Sequence, residues 1–144
     1  MRGELPPIAK LSQQILVSIE QAVIRFGRSH KYGVGADLRR EAMRVARCVN
    51  RAWHERSRQL QRVHELAEAI DDLRLTLQLA EGVKAFRSFA EFEALARLVN
   101  SIGRQCGGWL KRLHSTGQNE QAGTRLAQRA PILSSRSASS EATA

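Results

Sequence analysis

Apolar residues recur at alternating steps of three and four along four long segments of this sequence. The pattern is clearest in the third segment, where the apolar positions are Val63, Leu66, Ile70, Leu73, Leu77 and Ala80. Residues three and four apart lie on one face of an α-helix, so the spacing predicts four amphipathic helices. Spacing sustained over several turns is typical of bundles with shallow crossing angles. The sequence therefore predicts an all-α, antiparallel four-helix bundle.

The other three segments predict helices with equally clear buried faces. The first, Pro7 to Phe26, buries Ile8, Leu11, Ile15, Ile19, Ala22 and Phe26. The second starts near Gly35 to Asp37 and buries Leu38, Ala42, Val45, Val49 and Ala52, with Trp53 at the edge. The fourth buries Phe92, Leu95, Val99, Ile102, Cys106, Trp109 and Leu113. Ser88 and Glu91 form a predicted capping box at its start.

Length and composition agree with one helical domain. A chain of 144 residues supports a single core, and 5% aromatic residues with 3 prolines favour helices over a β-sandwich or barrel. We predict an N-terminal extension at 1–7, the bundle at 8–114 and a flexible tail at 115–144, where Ser, Thr, Gly, Gln and Ala dominate. The sequence has neither the apolar run of a membrane span nor that of a signal peptide, so we expect a cytoplasmic protein.

Positive charge is concentrated in the second quarter of the chain. The whole chain has 23 Lys and Arg against 14 Asp and Glu, a net charge of +9. Residues 25–62 alone hold eleven Lys and Arg against three Asp and Glu, a net charge of +8. Unpaired cations on a compact surface are stabilised by phosphates. The charge therefore indicates a polyanionic partner, with nucleic acid as the first candidate.

An arginine stripe runs along the second predicted helix. At about 100° per residue, its members lie on a narrow face opposite the core; they are Arg40, Arg44, Arg47 and Arg51. A solvated face would intersperse Glu, yet only Glu41 and Glu55 lie nearby, both off the centre of the stripe. The planar guanidinium group also matches phosphate. We interpret the stripe as a polyanion-binding surface, against the alternative of an ordinary solvated face.

The segment 27–35 between the first two predicted helices is interpreted as a basic loop. It holds three glycines, and Arg28, His30 and Lys31 lie just before a helix N-terminus. It is either an additional phosphate-binding segment or a flexible connection. Tyr32 offers little stacking surface, so we expect electrostatic binding with weak sequence specificity.

Motifs for catalysis are missing from the sequence. It has no Glu-x-x-His pair for a di-iron site, no zinc-ligand spacing and no phosphate-binding glycine loop. Cys48 and Cys106 are interpreted as small buried apolar residues. We therefore expect no enzyme activity, no metal, no cofactor and no small-molecule substrate.

Four apolar residues fall outside the predicted core and mark a candidate oligomer interface: Val17, Ile24, Leu75 and Leu79. The alternative is scattered surface apolar residues, which are common. Three glycines also interrupt the fourth predicted helix: Gly103, Gly107 and Gly108. Each costs about 1 kcal/mol relative to Ala. We interpret them as sites of close packing, with early fraying of the helix as the alternative.

Two segments resemble the Avd family, the four-helix-bundle accessory proteins of diversity-generating retroelements. The first is FGRSHKYGVGADLRREA at 26–42, similar to the family's basic loop before helix two. The second is at 95–113, where the residues that match the last-helix signature are Gly103, Arg104, Gly107, Gly108 and Trp109. The resemblance covers 8–114. It departs from the family where Phe26 and Gly27 replace the usual proline, and where Asn100 stands near a position that is often acidic.

The resemblance implies a homopentamer that binds a reverse transcriptase and nucleic acid, including the template RNA. Such a protein supports mutagenic retrohoming without catalysing it. RNA is the expected ligand, DNA is a second candidate, and no membrane is involved. The nucleic-acid-binding residues that we predict are Arg28, His30, Lys31, Arg39, Arg40, Arg44, Arg47, Arg51, Arg104, Lys111 and Arg112.

Other functions stay open at this stage. Four-helix bundles encoded in intervening sequences of bacterial ribosomal RNA genes look similar in architecture, and such a protein would act as a structural or protein-interaction module. A bundle whose basic face docks on an acidic protein would show no salt-sensitive nucleic-acid binding. An enzyme would need a metal or covalent cofactor.

Overall fold

The computed structural model describes the backbone of residues 5–143 and the side chains of residues 5–117. This part of the chain is all-α, without a strand. The helices are α1 (Pro7–Ile24), α2 (Arg28–Lys31), α3 (Val34–His54), α4 (Gln59–Gly82) and α5 (Phe89–Thr143). A short 3₁₀ turn, Arg56–Arg58, joins α3 to α4. No helix in the described residues is long and apolar enough to cross a bilayer.

The chain divides into two compact units, residues 1–110 and 111–144. The first holds α1 to α4 and the beginning of α5. The second continues α5 to Thr143. Most of the predicted tail, from 118 onward, and residues 1–4 of the predicted extension lie outside the residues whose side chains are described. The flexible tail therefore stays a prediction.

The buried face of α1 is the one that the sequence predicts. Pro7 stands in the first turn, where its missing N–H leaves no helical hydrogen bond unmade. All six predicted residues are buried, and Val23 joins them. The helix ends at Ile24 because the N–H groups of Arg25 and Phe26 donate to the carbonyls of Ala22 and Val23, both at 3.0 Å. Val17 and Ile24 are exposed, as predicted.

The segment 27–35 is more ordered than the predicted loop. It contains α2, a single helical turn, because the N–H groups of His30 and Lys31 both donate to the Gly27 carbonyl at 2.9 Å. The prediction of an irregular loop is wrong for these residues. A single turn held by backbone hydrogen bonds is too short to show a periodic pattern of apolar residues, so the sequence does not predict it.

Gly35 lets the start of α3 approach the end of α1. A Cβ atom at this position would lie 2.8 Å from Val23 Cγ1 and 3.1 Å from the His30 carbonyl oxygen. Atoms this close overlap, so a side chain of any size would push the two helices apart. Glycine is therefore required here by space rather than by backbone conformation.

The apolar faces predicted for α3 and α4 are buried throughout. Leu38 and Val45 of α3 and Val63 and Leu73 of α4 are fully enclosed. The predicted faces omit four further buried residues of these helices, which are Gly35, Cys48, Ala69 and Thr76. Ala85 and Phe86, which follow α4, are buried as well. Together these side chains form the core of the first unit.

Helix α5 begins at Phe89, one residue after its predicted cap. Ser88 Oγ accepts the N–H of Glu91 at 3.2 Å, which is half of the predicted capping box. The other half is wrong, because the Glu91 carboxylate accepts from Arg25 Nε at 3.0 Å rather than from Ser88. Phe92 is half-buried against Phe86, with ring centroids 5.7 Å apart. The carboxylate thereby ties the end of α1 to the start of α5.

Two glycines of α5, Gly103 and Gly107, differ in how closely the rest of the chain approaches them. A Cβ atom on Gly103 would meet the flexible Arg74 guanidinium at 2.6 Å, whereas one on Gly107 would meet nothing within 4 Å. The close packing predicted for Gly107 is therefore not made by another helix among the described residues, and close approach of a partner stays a prediction. Gly103 instead forms part of a shallow cavity of about 160 Å³ between α4 and α5.

Candidate nucleic-acid interface

Helix α3 carries the arginine stripe on its exposed side. Arg40, Arg44, Arg47 and Arg51 are all exposed. They lie opposite Leu38 and Val45, which are buried, as the helical period requires. The predicted placement of the stripe on the outside of the helix is confirmed. The charge around the stripe, however, differs from the prediction.

The first half of the stripe is neutralised by acidic side chains. Arg44 Nη1 donates to Asp72 Oδ2 of α4 at 2.6 Å, and this hydrogen bond raises the pKa of the Arg44 guanidinium. Arg40 pairs with Asp37, one turn earlier in α3. The expectation that acidic residues stay away from the stripe is wrong here. Asp72 comes from a different helix, so its approach depends on how α3 and α4 pack.

Arg39 is also held by a carboxylate. Its Nε and Nη2 atoms donate to the two carboxylate oxygens of Glu20 in α1, at 2.7 and 2.9 Å. This bidentate geometry is the strong form of an arginine–carboxylate contact. Arg39 therefore links α3 to α1, and its positive charge is largely compensated.

The second half of the stripe continues into the turn after α3. Arg47 and Arg51 form no ion pair with any described residue, and neither do Arg56 and Arg58 of the 3₁₀ turn. All four are exposed. We call these four residues the cationic corner. Arg56 and Arg58 are absent from the predicted site, although the segment RSRQLQR at 56–62 signals them by its density of arginine.

The turn that forms the cationic corner is closed by three hydrogen bonds. The N–H of Glu55 donates to the Arg51 carbonyl at 2.8 Å, and the N–H of Arg58 donates to the Glu55 carbonyl at 3.3 Å. Gln59 Nε2 donates to the Ala52 carbonyl at 3.0 Å and so satisfies an acceptor at the end of α3. These bonds keep the arginines of the turn next to those of the helix.

Acidic groups beside the cationic corner are already occupied by Arg62. Its Nε donates to Glu55 at 2.7 Å and its Nη1 to Glu65 at 3.0 Å. The hydrogen bond from Arg62 is the main cause of the lowered pKa of the Glu65 carboxyl, and the charge of Arg51 adds to it. Two carboxylates thus face five arginines in this region, so the local charge stays positive.

The basic residues of α2 lie far from the cationic corner. Arg28, His30 and Lys31 precede the first residue of α3, and the corner is at the other end of that helix. A helix of 21 residues is about 30 Å long. The structure therefore does not bring these two parts of the predicted site together.

The predicted residues of α5 are exposed. Arg104 Nη2 donates to Ser101 Oγ at 3.1 Å and has no ion pair among the described residues. Lys111 and Arg112 are exposed and belong to the second compact unit. These three residues thus add positive charge to α5.

Groups with chemical reactivity are sparse in the described residues. No cluster of three or more His, Cys, Asp or Glu side chains within this part of the chain could hold a metal ion. Cys48 and Cys106 are free and buried, as predicted. Burial raises the pKa of the Cys106 thiol to about 11, and it raises that of Cys48 as well. Both thiols are therefore protonated, and poorly nucleophilic, at neutral pH.

The chain matches no known protein-family model, and no curated protein matches it in sequence. The resemblance to the Avd family accordingly stays a prediction that rests on the residues at 26–42 and 95–113. The site is defined here by its own geometry and charge.

Proposed function

We propose that this protein is a non-enzymatic nucleic-acid-binding protein and that the cationic corner is its phosphate-binding surface. The observation that carries the proposal is the group of four exposed arginines at the end of α3 and in the turn after it, without an ion-pair partner among the described residues. Phosphates supply the missing negative charge and accept the parallel hydrogen bonds of guanidinium groups. Binding through phosphates is electrostatic and weakly sequence-specific.

The scaffold of this surface is proposed to be an antiparallel four-helix bundle. In α4, Val63 contacts Cys106 of α5, and Arg74 contacts Asn100. Higher residue numbers in α4 therefore face lower residue numbers in α5, as in an antiparallel pair. Helices α3 and α4 pair in the same antiparallel sense, since Ala52 contacts Gln59 and Arg44 contacts Asp72. Such pairing presents the α3–α4 turn at one end of the bundle.

The biological role proposed is that of an accessory protein in a diversity-generating retroelement. In this role the protein binds the template RNA and a reverse transcriptase as a homopentamer and supports mutagenic retrohoming without catalysing it. The support comes from the resemblance, in particular Gly103, Arg104 and Trp109. A reverse transcriptase gene and a variable repeat beside the gene for this protein would test this role directly.

The cationic corner is tested with the double variant R56Q and R58Q, whose affinity for RNA is measured across a salt series. Each phosphate neutralised contributes about 0.7 to 0.9 to the slope of log affinity against log salt. We expect the double variant to reduce that slope by about 1.4 to 1.8, because two phosphate contacts are lost.

A charge-matched control uses R39Q and R40Q, which also removes two positive charges. These arginines already pair with Glu20 and Asp37, so we expect a slope close to that of the unmodified protein. Equal losses in the two double variants would show that net charge alone matters and would contradict the proposed corner. Failure of the unmodified protein to bind RNA at low salt would contradict the function itself.

A second candidate is a protein-interaction module of the kind encoded in ribosomal RNA intervening sequences. It is favoured by four large apolar residues that stay more than half exposed, which are Val17 (57%), Ile24 (56%), Leu75 (56%) and Leu79 (57%). Covering exposed apolar side chains of this size with another protein surface lowers the free energy, because it removes apolar surface from water. Salt-insensitive binding of a protein partner, without RNA binding, would favour this candidate.

A further inference from the structure

One of the two tryptophans stands exposed beside the cationic corner. Trp53 lies on the last turn of α3, three residues before Arg56, and is 41% exposed. Its position at the edge of the predicted core explains why the sequence assigns it to packing alone. Tyr32, the aromatic residue considered for stacking, lies before the start of α3, at the other end of that helix.

The ring of Trp53 is supported by the second tryptophan. The ring centroids of Trp53 and Trp109 are 6.3 Å apart at an angle of 67°, an edge-to-face contact, and Trp109 is only 8% exposed. Such contacts are favourable and restrict the orientation of both rings. Trp53 is therefore an ordered aromatic surface with one part packed and another in solvent.

Trp53 and the arginines of the turn are close together along the chain. Three residues of extended chain span at most about 11 Å, which sets the upper limit between the Cα atoms of Trp53 and Arg56. The hydrogen bonds of Glu55 to Arg51 and of Gln59 to Ala52 fold the chain back on itself in this segment. Trp53, Arg56 and Arg58 therefore belong to one short folded segment at the end of α3.

We propose that Trp53 stacks on an unpaired base of single-stranded RNA while the cationic corner binds the adjoining phosphates. This inference rests on the proposed nucleic-acid-binding function and adds the class of ligand. The faces of bases are free to stack on a protein only where the strand is unpaired, and arginines beside an aromatic ring match the phosphates next to such a base. The protein consequently prefers a single strand to a duplex.

The experiment compares three probes with the full chain at fixed salt. They are a short unstructured RNA, its duplex with the complementary strand, and an abasic strand with the same number of phosphates. Stacking on one base is lost when the tryptophan is replaced, so W53A is expected to bind the unstructured RNA about 5-fold to 150-fold more weakly. Its affinity for the duplex and for the abasic strand is expected to stay unchanged, which also shows that the variant is folded.

Two further variants separate stacking from packing. W53L keeps an apolar side chain next to Trp109 but has no aromatic face, so its affinity for the unstructured RNA should equal that of W53A. W53F keeps an aromatic face, so it should retain part of the preference for the unstructured RNA. The inference is overturned if W53L binds that RNA within about twofold of the unmodified protein, or if the abasic strand binds equally well. If the unmodified protein binds none of the three probes at low salt, the proposed function fails together with this inference.

Discussion

Among single residues, Glu41 has a carboxylate that is only partly hydrogen-bonded. One of its carboxylate oxygens is buried without a hydrogen-bond partner. Burial is the main cause of the raised pKa of the Glu41 carboxyl; a hydrogen bond from Thr76 acts against it, and the negative charges of Asp37 and Asp72 add to it. A buried charge that is incompletely paired destabilises the fold.

Replacing this carboxyl with an amide should stabilise the protein in a pH-dependent way. The folded state binds the Glu41 proton more tightly than the unfolded state, so the free energy of unfolding falls as pH rises from the ordinary value of 4.5 through the raised pKa. We expect E41Q to have a higher Tm than the unmodified protein at pH 7, and the gain to vanish at pH 4.

The matched control is E93Q, which removes an exposed carboxylate that pairs with Arg97 on the same helix. Exposed pairs of this spacing contribute about 0.3 to 0.5 kcal/mol, so the control should be slightly destabilised at pH 7. Thermal unfolding of all three proteins at both pH values measures the difference. A lower Tm for E41Q at pH 7 would contradict the role assigned to Glu41.

At the scale of the helices, two glycines should respond to the same substitution in opposite ways. A Cβ atom on Gly35 would overlap Val23 and the backbone of His30, whereas one on Gly107 meets open space. We expect G35A to lower the free energy of unfolding by about 1 to 3 kcal/mol, because α1 and α3 must separate. We expect G107A to raise it by about 1 kcal/mol through helix propensity.

Urea unfolding of the two variants tests this contrast, each serving as the control for the other. A change of the same sign in both would show that intrinsic propensity, rather than the contact between α1 and α3, decides the outcome. Gly107 also belongs to the segment that resembles the Avd signature, so a stable G107A protein gives a folded variant in which to examine that segment.

The helices also show how far the sequence alone could reach. Apolar periodicity was sufficient to predict the buried faces of α1, α3 and α4, because burial of residues such as Leu38 follows from the helical repeat. It could not predict α2, which one backbone acceptor at Gly27 stabilises. Nor could it predict the pairing of Arg44 with Asp72, because the two are 28 positions apart in sequence and meet only when α3 packs on α4. The exposed position of the arginine stripe could therefore be predicted from the sequence, whereas the distribution of charge around it could not.

For the whole molecule, the exposed leucines of α4 predict self-association. Leu79 is 57% exposed, and Leu75 lies one turn earlier at 56%. We expect the unmodified protein to sediment as an oligomer of the 16.1 kDa chain, a pentamer if the resemblance holds. L79E places a charge in the contact and should yield monomers, since burying an unpaired carboxylate is costly.

The control for self-association is Q78E, which adds the same charge at an exposed neighbouring position of α4. Its mass in solution should equal that of the unmodified protein. Sedimentation equilibrium gives the masses of all three. A monomeric unmodified protein at the concentrations used for RNA binding would contradict the proposed assembly.

The ion pairs of α3 also restrict the path of a bound strand. Arg39, Arg40 and Arg44 each pair with a carboxylate, so the first half of α3 attracts a polyanion only weakly. Under the proposed function, an RNA held by Arg47, Arg51, Arg56 and Arg58 therefore passes crosswise over the end of the helix instead of following its axis. The contact is then confined to a few nucleotides, so each subunit of an assembly would hold a separate short stretch of the same strand.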